Sequence, residues 1–119
     1  MKFAHVTISV KNLNESLSFY QDIIGLPIKR RFPAGGSEIV FLGNEGAEIE
    51  LIHNSARPNA SFGDGISLGF EVPSADAVVS LLKQKGIAAG EMLKPTPYVK
   101  FFFITDPNGV RIQFLENVK

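Results

Sequence analysis

His5, Glu48 and Glu50 are the residues whose types and placement could do chemistry together. A neutral imidazole and a carboxylate on neighbouring strands make half of a divalent metal site, and a second carboxylate nearby can move a proton. The alternation around them sets their direction. In Phe3–Val10, the residues Ala4, Val6, Ile8 and Val10 share one strand face, which leaves Phe3, His5, Thr7 and Ser9 on the other. In Ala47–His53, Ile49 and Leu51 form the apolar side, so Glu48 and Glu50 point away from the core, as His5 does. A strand-centre carboxylate needs a partner, because an unpaired buried charge is costly. For Glu50 the options are a metal ion, His5, or a cation such as Arg111 or Lys100. Glu48 is expected to be solvated. His53 has the opposite parity and stays outside the site. Cysteine is absent, which excludes thiolate ligands and thiol nucleophiles. Ser67 has no histidine identified as its base, so a nucleophilic serine is not supported.

The elements that position these residues occur twice. Ala4–Val10 returns as Ile66–Val72, and Glu38–Leu51 returns as Phe101–Phe114. In that register Gly46 meets Gly109, Ile49 meets Ile112, Glu50 meets Gln113 and His5 meets Ser67. A long repeat present only twice indicates two copies of one supersecondary unit. In the first copy a strand over 3–10 leads to a helix capped by Asn12, with Glu15 in capping-box position and Gly25 at its end. Strands follow at about 28–32, 38–42 and 47–53. In the second, strand 66–72 leads to a helix capped by Ser74, carrying Val78, Leu81 and Leu82 and ending at Gly86. Pro95 and Pro97 bracket a loop, and strands run over 99–105 and 110–116. Gly43-Asn44-Glu45-Gly46 and Asp106-Pro107-Asn108-Gly109 read as turns, since no helix follows the first to make a phosphate loop. Module one is thus about 1–54, the connector 55–65 and module two 66–119.

The fold class expected is α+β: two βαβββ modules forming a curved, mostly antiparallel eight-stranded sheet around a cleft. The apolar strand backs need the helices to cover them, and the fronts are too polar for a second dry core. At 119 residues and 45% hydrophobic, the chain suits one compact domain. Lys plus Arg equals Asp plus Glu, at 12 each, so nothing points to nucleic acid or an anionic membrane. Arg30-Arg31, the only basic cluster, reads as a solvated strand end. No apolar stretch approaches the roughly 20 residues of a membrane span. With no leader pattern and no cysteine, a cytoplasmic setting is expected.

Several stretches together resemble the vicinal oxygen chelate superfamily, which includes glyoxalase I, extradiol dioxygenases and bleomycin resistance proteins. They are His5 on the opening strand, Asn12 to Tyr20 with Gly25-Leu26, Ile49-Glu50-Leu51, and Phe102 to Gly109 through Glu116. The resemblance covers essentially the whole chain and implies the paired-module fold, with a homodimer as the usual assembly. The glyoxalase-type metal site takes two ligands per module, and by position these are His5, Glu50, Ser67 and Gln113. Ser67 and Gln113 stand where that enzyme usually has His and Glu. A hydroxyl is a poor ligand, and an amide can bind an ion but cannot accept a proton. The resemblance therefore implies a divalent metal (Zn, Ni, Mn or Fe) held by His5, Glu50 and Gln113. Glu50 and Glu48 would act in proton transfer, and Thr7, Ser67, Tyr98, Phe102 and Arg111 would contact a small oxygen-chelating substrate. The expected activity is a lyase or isomerase other than glyoxalase I itself. The alternative is a metal-free protein that sequesters a drug-like molecule, in which Phe101 to Phe103, Tyr98 and Phe62 would matter more than His5.

Overall fold

The computed structural model describes residues 1–56 and 65–117. Phe62 and most of the expected connector lie outside the described residues. The chain divides into two compact units, Met1–Ser61 and Phe62–Lys119. Each is a βαβββ module with a four-stranded mixed sheet, so the fold is α+β.

In the first module, β1 (His5–Ser9) leads to α1 (Leu13–Ser18), then β2 (Ile28–Ala34), β3 (Ser37–Leu42) and β4 (Glu48–Asn54). The sheet order is β1-β4-β3-β2, with β1 parallel to β4 and the other pairs antiparallel. The Asn12 side chain caps α1 by accepting from the Glu15 N–H at 2.9 Å, as expected of that residue type before a helix. After Ser18 the helix widens into a π turn over Phe19–Ile23, closed by the Ile24 N–H donating to the Phe19 carbonyl. Two adjacent aromatics of the wider turn, Phe19 and Tyr20, are buried. Gly25, at φ +86°, then reverses the chain. α1 packs on β4, and the core lies behind the sheet among Ile8, Val10, Val40, Leu42, Ile49 and Leu51. Complete burial of a side chain such as Leu51 contributes about 1.5–3 kcal/mol.

The second module repeats the plan. β5 (Ser67–Glu71) leads to α2 (Ala75–Gln84), then β6 (Leu93–Thr96), β7 (Val99–Thr105) and β8 (Arg111–Asn117), in the order β5-β8-β7-β6. The Ser74 hydroxyl caps α2 by accepting from the Ala77 N–H. The Glu116 carboxylate accepts from the Ala75 N–H at 2.7 Å, fixing the positive end of the helix to the sheet. Lys100 lies 2.8 Å from Asp76 and 4.0 Å from Glu116, tying the same helix end down again. In the turn between β7 and β8, Asp106 Oδ1 accepts from the Asn108 and Val110 N–H groups, so that segment is structural.

One element differs from expectation. The stretch expected as a loop around Pro95 carries β6, a short edge strand exposed along its length. Proline is tolerated at an edge because its missing N–H would not have paired within the sheet. The first module's edge strand β2, also exposed throughout, contains Pro33. Among the described residues, no helix is long and apolar enough to cross a membrane.

Candidate functional site

β1 and β4 pair in the register His5↔Glu48 and Thr7↔Glu50, which places all four side chains on one face of the first sheet. The face opposes the buried side formed by Ile8, Ile49 and Leu51. The Thr7 hydroxyl donates to Glu50 Oε1 across 2.6 Å. The same oxygen lies 3.5 Å from His5 Nε2. Glu50 retains 15% side-chain exposure, against 40% for His5, so the carboxylate sits deeper than the imidazole. Of the partners expected for Glu50, His5 is the one found, with Thr7 added. Lys100 belongs to the opposite, helix-covered face of the second sheet.

Phe41 packs edge-on against the His5 ring at 5.4 Å, and Phe32 stacks on Phe41 at 6.2 Å. The Arg30 guanidinium lies over Phe41, 4.0 Å from its centre, and donates to Glu48 Oε1 at 3.1 Å. One reading changes here. Glu48, expected to be solvated, is largely covered and held by Arg30, while Arg30 itself stays exposed, as expected of a solvated strand. Parity along β2 already aims Arg30 at the Phe41 face. What composition could not give was the register Arg30↔Phe41, which follows a bulge after Ile28. Arg31 points the other way and pairs with Glu38. His53 Nδ1 lies 3.0 Å from the Val10 carbonyl, on the opposite face from Glu50. Along the site face, a hollow of about 100 Å³ continues between Ser9, Ser37, Ile52 and Asn54.

The second module reproduces this frame with other chemistry. Ser67↔Arg111 and Gly69↔Gln113 pair as His5↔Glu48 and Thr7↔Glu50 do, so Ser67 is the counterpart of His5 and Gln113 of Glu50. Phe103↔Gln113 matches Phe41↔Glu50. Where Thr7 holds Glu50, Gly69 offers no side chain, and a Cβ there would stand 3.2 Å from Gln113 Oε1. The Arg111 guanidinium lies over Phe103 at 4.2 Å. Phe102, expected to contact a ligand, is fully buried against Phe114. Its neighbours Phe101 and Phe103 share the Gln113 face instead. Tyr98 is 69% exposed in the turn before β7.

A divalent ion can be tested against these donors. His5 Nε2 and Glu50 Oε1 are separated by 3.5 Å, close to the spacing of two ligands on one ion with bonds of about 2 Å. The Thr7 hydroxyl orients the carboxylate in the way outer hydrogen bonds orient metal ligands. The pair therefore fits half of a coordination shell. The corresponding positions of the second module supply a hydroxyl and an amide. Among the described residues, no group of three His, Cys, Asp or Glu side chains could hold an ion.

A model of the Glyoxalase/Bleomycin resistance protein/Dioxygenase superfamily matches residues 2–114. A probable lactoylglutathione lyase from Synechocystis sp. is 30% identical, over 98% of this chain and 95% of its own length. The trypanothione-dependent glyoxalase I of Leishmania major superposes with a TM-score of 0.84 at 20% identity, covering 98% of this chain and 86% of its own. TnmS3, an antibiotic-binding protein from Streptomyces sp. CB03234, superposes with a TM-score of 0.76 at 20% identity, covering 98% and 96%.

Proposed function

We infer the function from the premise that the chain belongs to the glyoxalase/bleomycin resistance protein/dioxygenase superfamily. Its proposed activity is that of a glyoxalase-like lyase or isomerase, acting on a small substrate that presents two neighbouring oxygens. The observation that carries this reading is the triad of Thr7, His5 and Glu50 on one sheet face, with both donor distances converging on Glu50 Oε1. His5 and Glu50 would hold a divalent ion, and Gln113, the register counterpart of Glu50, is the proposed ligand position of the second module. When bound, such an ion polarises a carbonyl oxygen and lowers the cost of charge developing there.

The side chains themselves divide the remaining work. Thr7 fixes the rotamer of Glu50 by engaging Oε1, so Oε2 is the oxygen that faces an incoming proton. Arg30 engages Glu48, making that carboxylate a supporting charge and leaving Glu50 as the principal proton acceptor. Phe41 walls one side of His5 and limits how water reaches its ring. Gln113 cannot take a proton, so a second base is lacking where Glu50 has its counterpart. This separates the proposed reaction from that of glyoxalase I. A cytoplasmic homodimer belongs to the same proposal, supported by the absence of cysteine and by the family's habit.

The second reading, a metal-free protein that binds a drug-like molecule, draws on Ser67 and Gln113 occupying the counterparts of His5 and Glu50. Metal analysis of protein purified without chelator separates the two. A stoichiometric divalent ion that disappears in His5→Ala and Glu50→Ala supports the enzyme. No ion under any loading condition overturns it in favour of the binding protein.

A further inference from the structure

We propose that Arg111 is an anion anchor that receives the carboxylate of a small organic acid on the Gln113 face of the second module. This rests on the reading above that the ligand is a small molecule bound at these sheet faces, and it adds the ligand's charge class.

The two modules place a guanidinium over the same aromatic position, Arg30 over Phe41 and Arg111 over Phe103. In the first module that guanidinium is already committed, because Glu48 accepts from it at 3.1 Å. In the second module Arg111 itself occupies the counterpart of Glu48, so the charge at that position is inverted. Among the described residues of its own module, no carboxylate pairs with it. Glu71 accepts from Asn117, Glu116 and Asp76 are engaged at the start of α2 with Lys100, and Asp106 holds its turn.

Arg111 is half-buried with its guanidinium carbon 4.2 Å from the centre of the Phe103 ring, and Phe103 is itself packed edge-on by Phe101 at 5.8 Å. Stacking uses the face of a guanidinium and leaves its in-plane N–H fork free for a planar oxyanion. One positive charge matches the single negative charge of a carboxylate. A phosphate monoester, at about −1.5 to −2, would leave charge uncompensated. The side chains beside the fork are neutral: Ser67 opposite Arg111 in the ladder, and Gln113 two residues along, its amide unobstructed because residue 69 is glycine. They suit a hydroxyl or carbonyl oxygen near the carboxylate, so the ligand class is a small hydroxy or oxo acid.

The test measures binding of mandelate and phenylpyruvate, each against its methyl ester, by calorimetry on the full chain. At least one acid should bind about tenfold to a hundredfold more tightly than its ester, the range of a hydrogen-bonded charge pair. That preference should vanish in Arg111→Met and shrink in Arg111→Lys, which keeps charge but loses the fork. If Arg111→Met does not fold, the Arg111→Lys result decides. In His5→Ala the preference should persist even though any bound metal is lost, so a failed metal assignment and a failed anion anchor give different patterns. The proposal is overturned if neither acid binds, if acid and ester bind alike, if the preference survives in Arg111→Met, or if it is undiminished in Arg111→Lys.

Discussion

Thr7→Val and Glu50→Ala, made singly and together, probe the pair at the centre of the site. The hydroxyl donates to Glu50 Oε1 across 2.6 Å, at the short end for an O–H···O bond and with an ionised acceptor. Bonds to charged groups contribute about 1.5–3 kcal/mol net. Glu50 keeps 15% of its side chain exposed, so water competes weakly from that side. Thr7 lies on an edge strand, where solvent competes more, which brings the expected coupling to about 1–2 kcal/mol. His5 adds little, at 3.5 Å and 40% exposed. Valine keeps the β-branched shape that suits β1 and removes only the hydroxyl. A double-mutant cycle in urea unfolding reads the coupling directly. A coupling below about 0.3 kcal/mol, the level of independent sites, would refute the claim that strand parity brings Thr7 and Glu50 into contact.

Three other outcomes follow from the packing. Phe102→Ala removes a ring with no exposed surface and should cost about 3–5 kcal/mol in the same unfolding assay; a loss under about 1 kcal/mol would place the ring outside the core. Gly90→Ala sets a Cβ 2.9 Å from the Phe103 carbonyl oxygen, on backbone that cannot swing aside, and should lower the thermal midpoint by several degrees, about 1–3 kcal/mol. An unchanged midpoint would mean this approach is not made. The hydrogen bond that Lys100 donates to the Asp76 carboxylate holds its ammonium above its ordinary value of 10.5, with the charges of Asp76 and Glu116 adding to it. A raised folded-state value stabilises below the unfolded one and is lost as pH climbs through it. The stability advantage of wild type over Lys100→Met should therefore be level below about pH 10 and narrow above pH 10.5. An advantage that stays constant through that range would refute the pairing.

Much of this molecule was legible because its signals are local. Alternation at Ala4–Val10 gave the direction of His5 and Thr7, and Asn12 and Ser74 announced their helices through their own side-chain bonds. The repeat gave more, since aligning Glu50 with Gln113 and His5 with Ser67 anticipated that these positions are equivalent in the two parallel ladders. What failed depended on pairing partners. Three consecutive phenylalanines carry no alternation, and only the partner Phe114 shows that Phe102 is the one turned inward. The pairing of Arg30 was not read because its anchor, Glu48, lies 18 residues away on a strand that is not its neighbour. β6 was read as a loop because proline argues against a strand interior and says nothing against an edge.

The prolines of β2 and β6 have a consequence beyond their own sheets. Both strands lie open along their length, and a continuous row of backbone donors there would invite a foreign strand to add itself. Pro33 and Pro95 each remove one rung from that row. A passing chain thus meets an interrupted template, and ribbon-like growth from either margin is discouraged in crowded solution without any loss of pairing inside the protein.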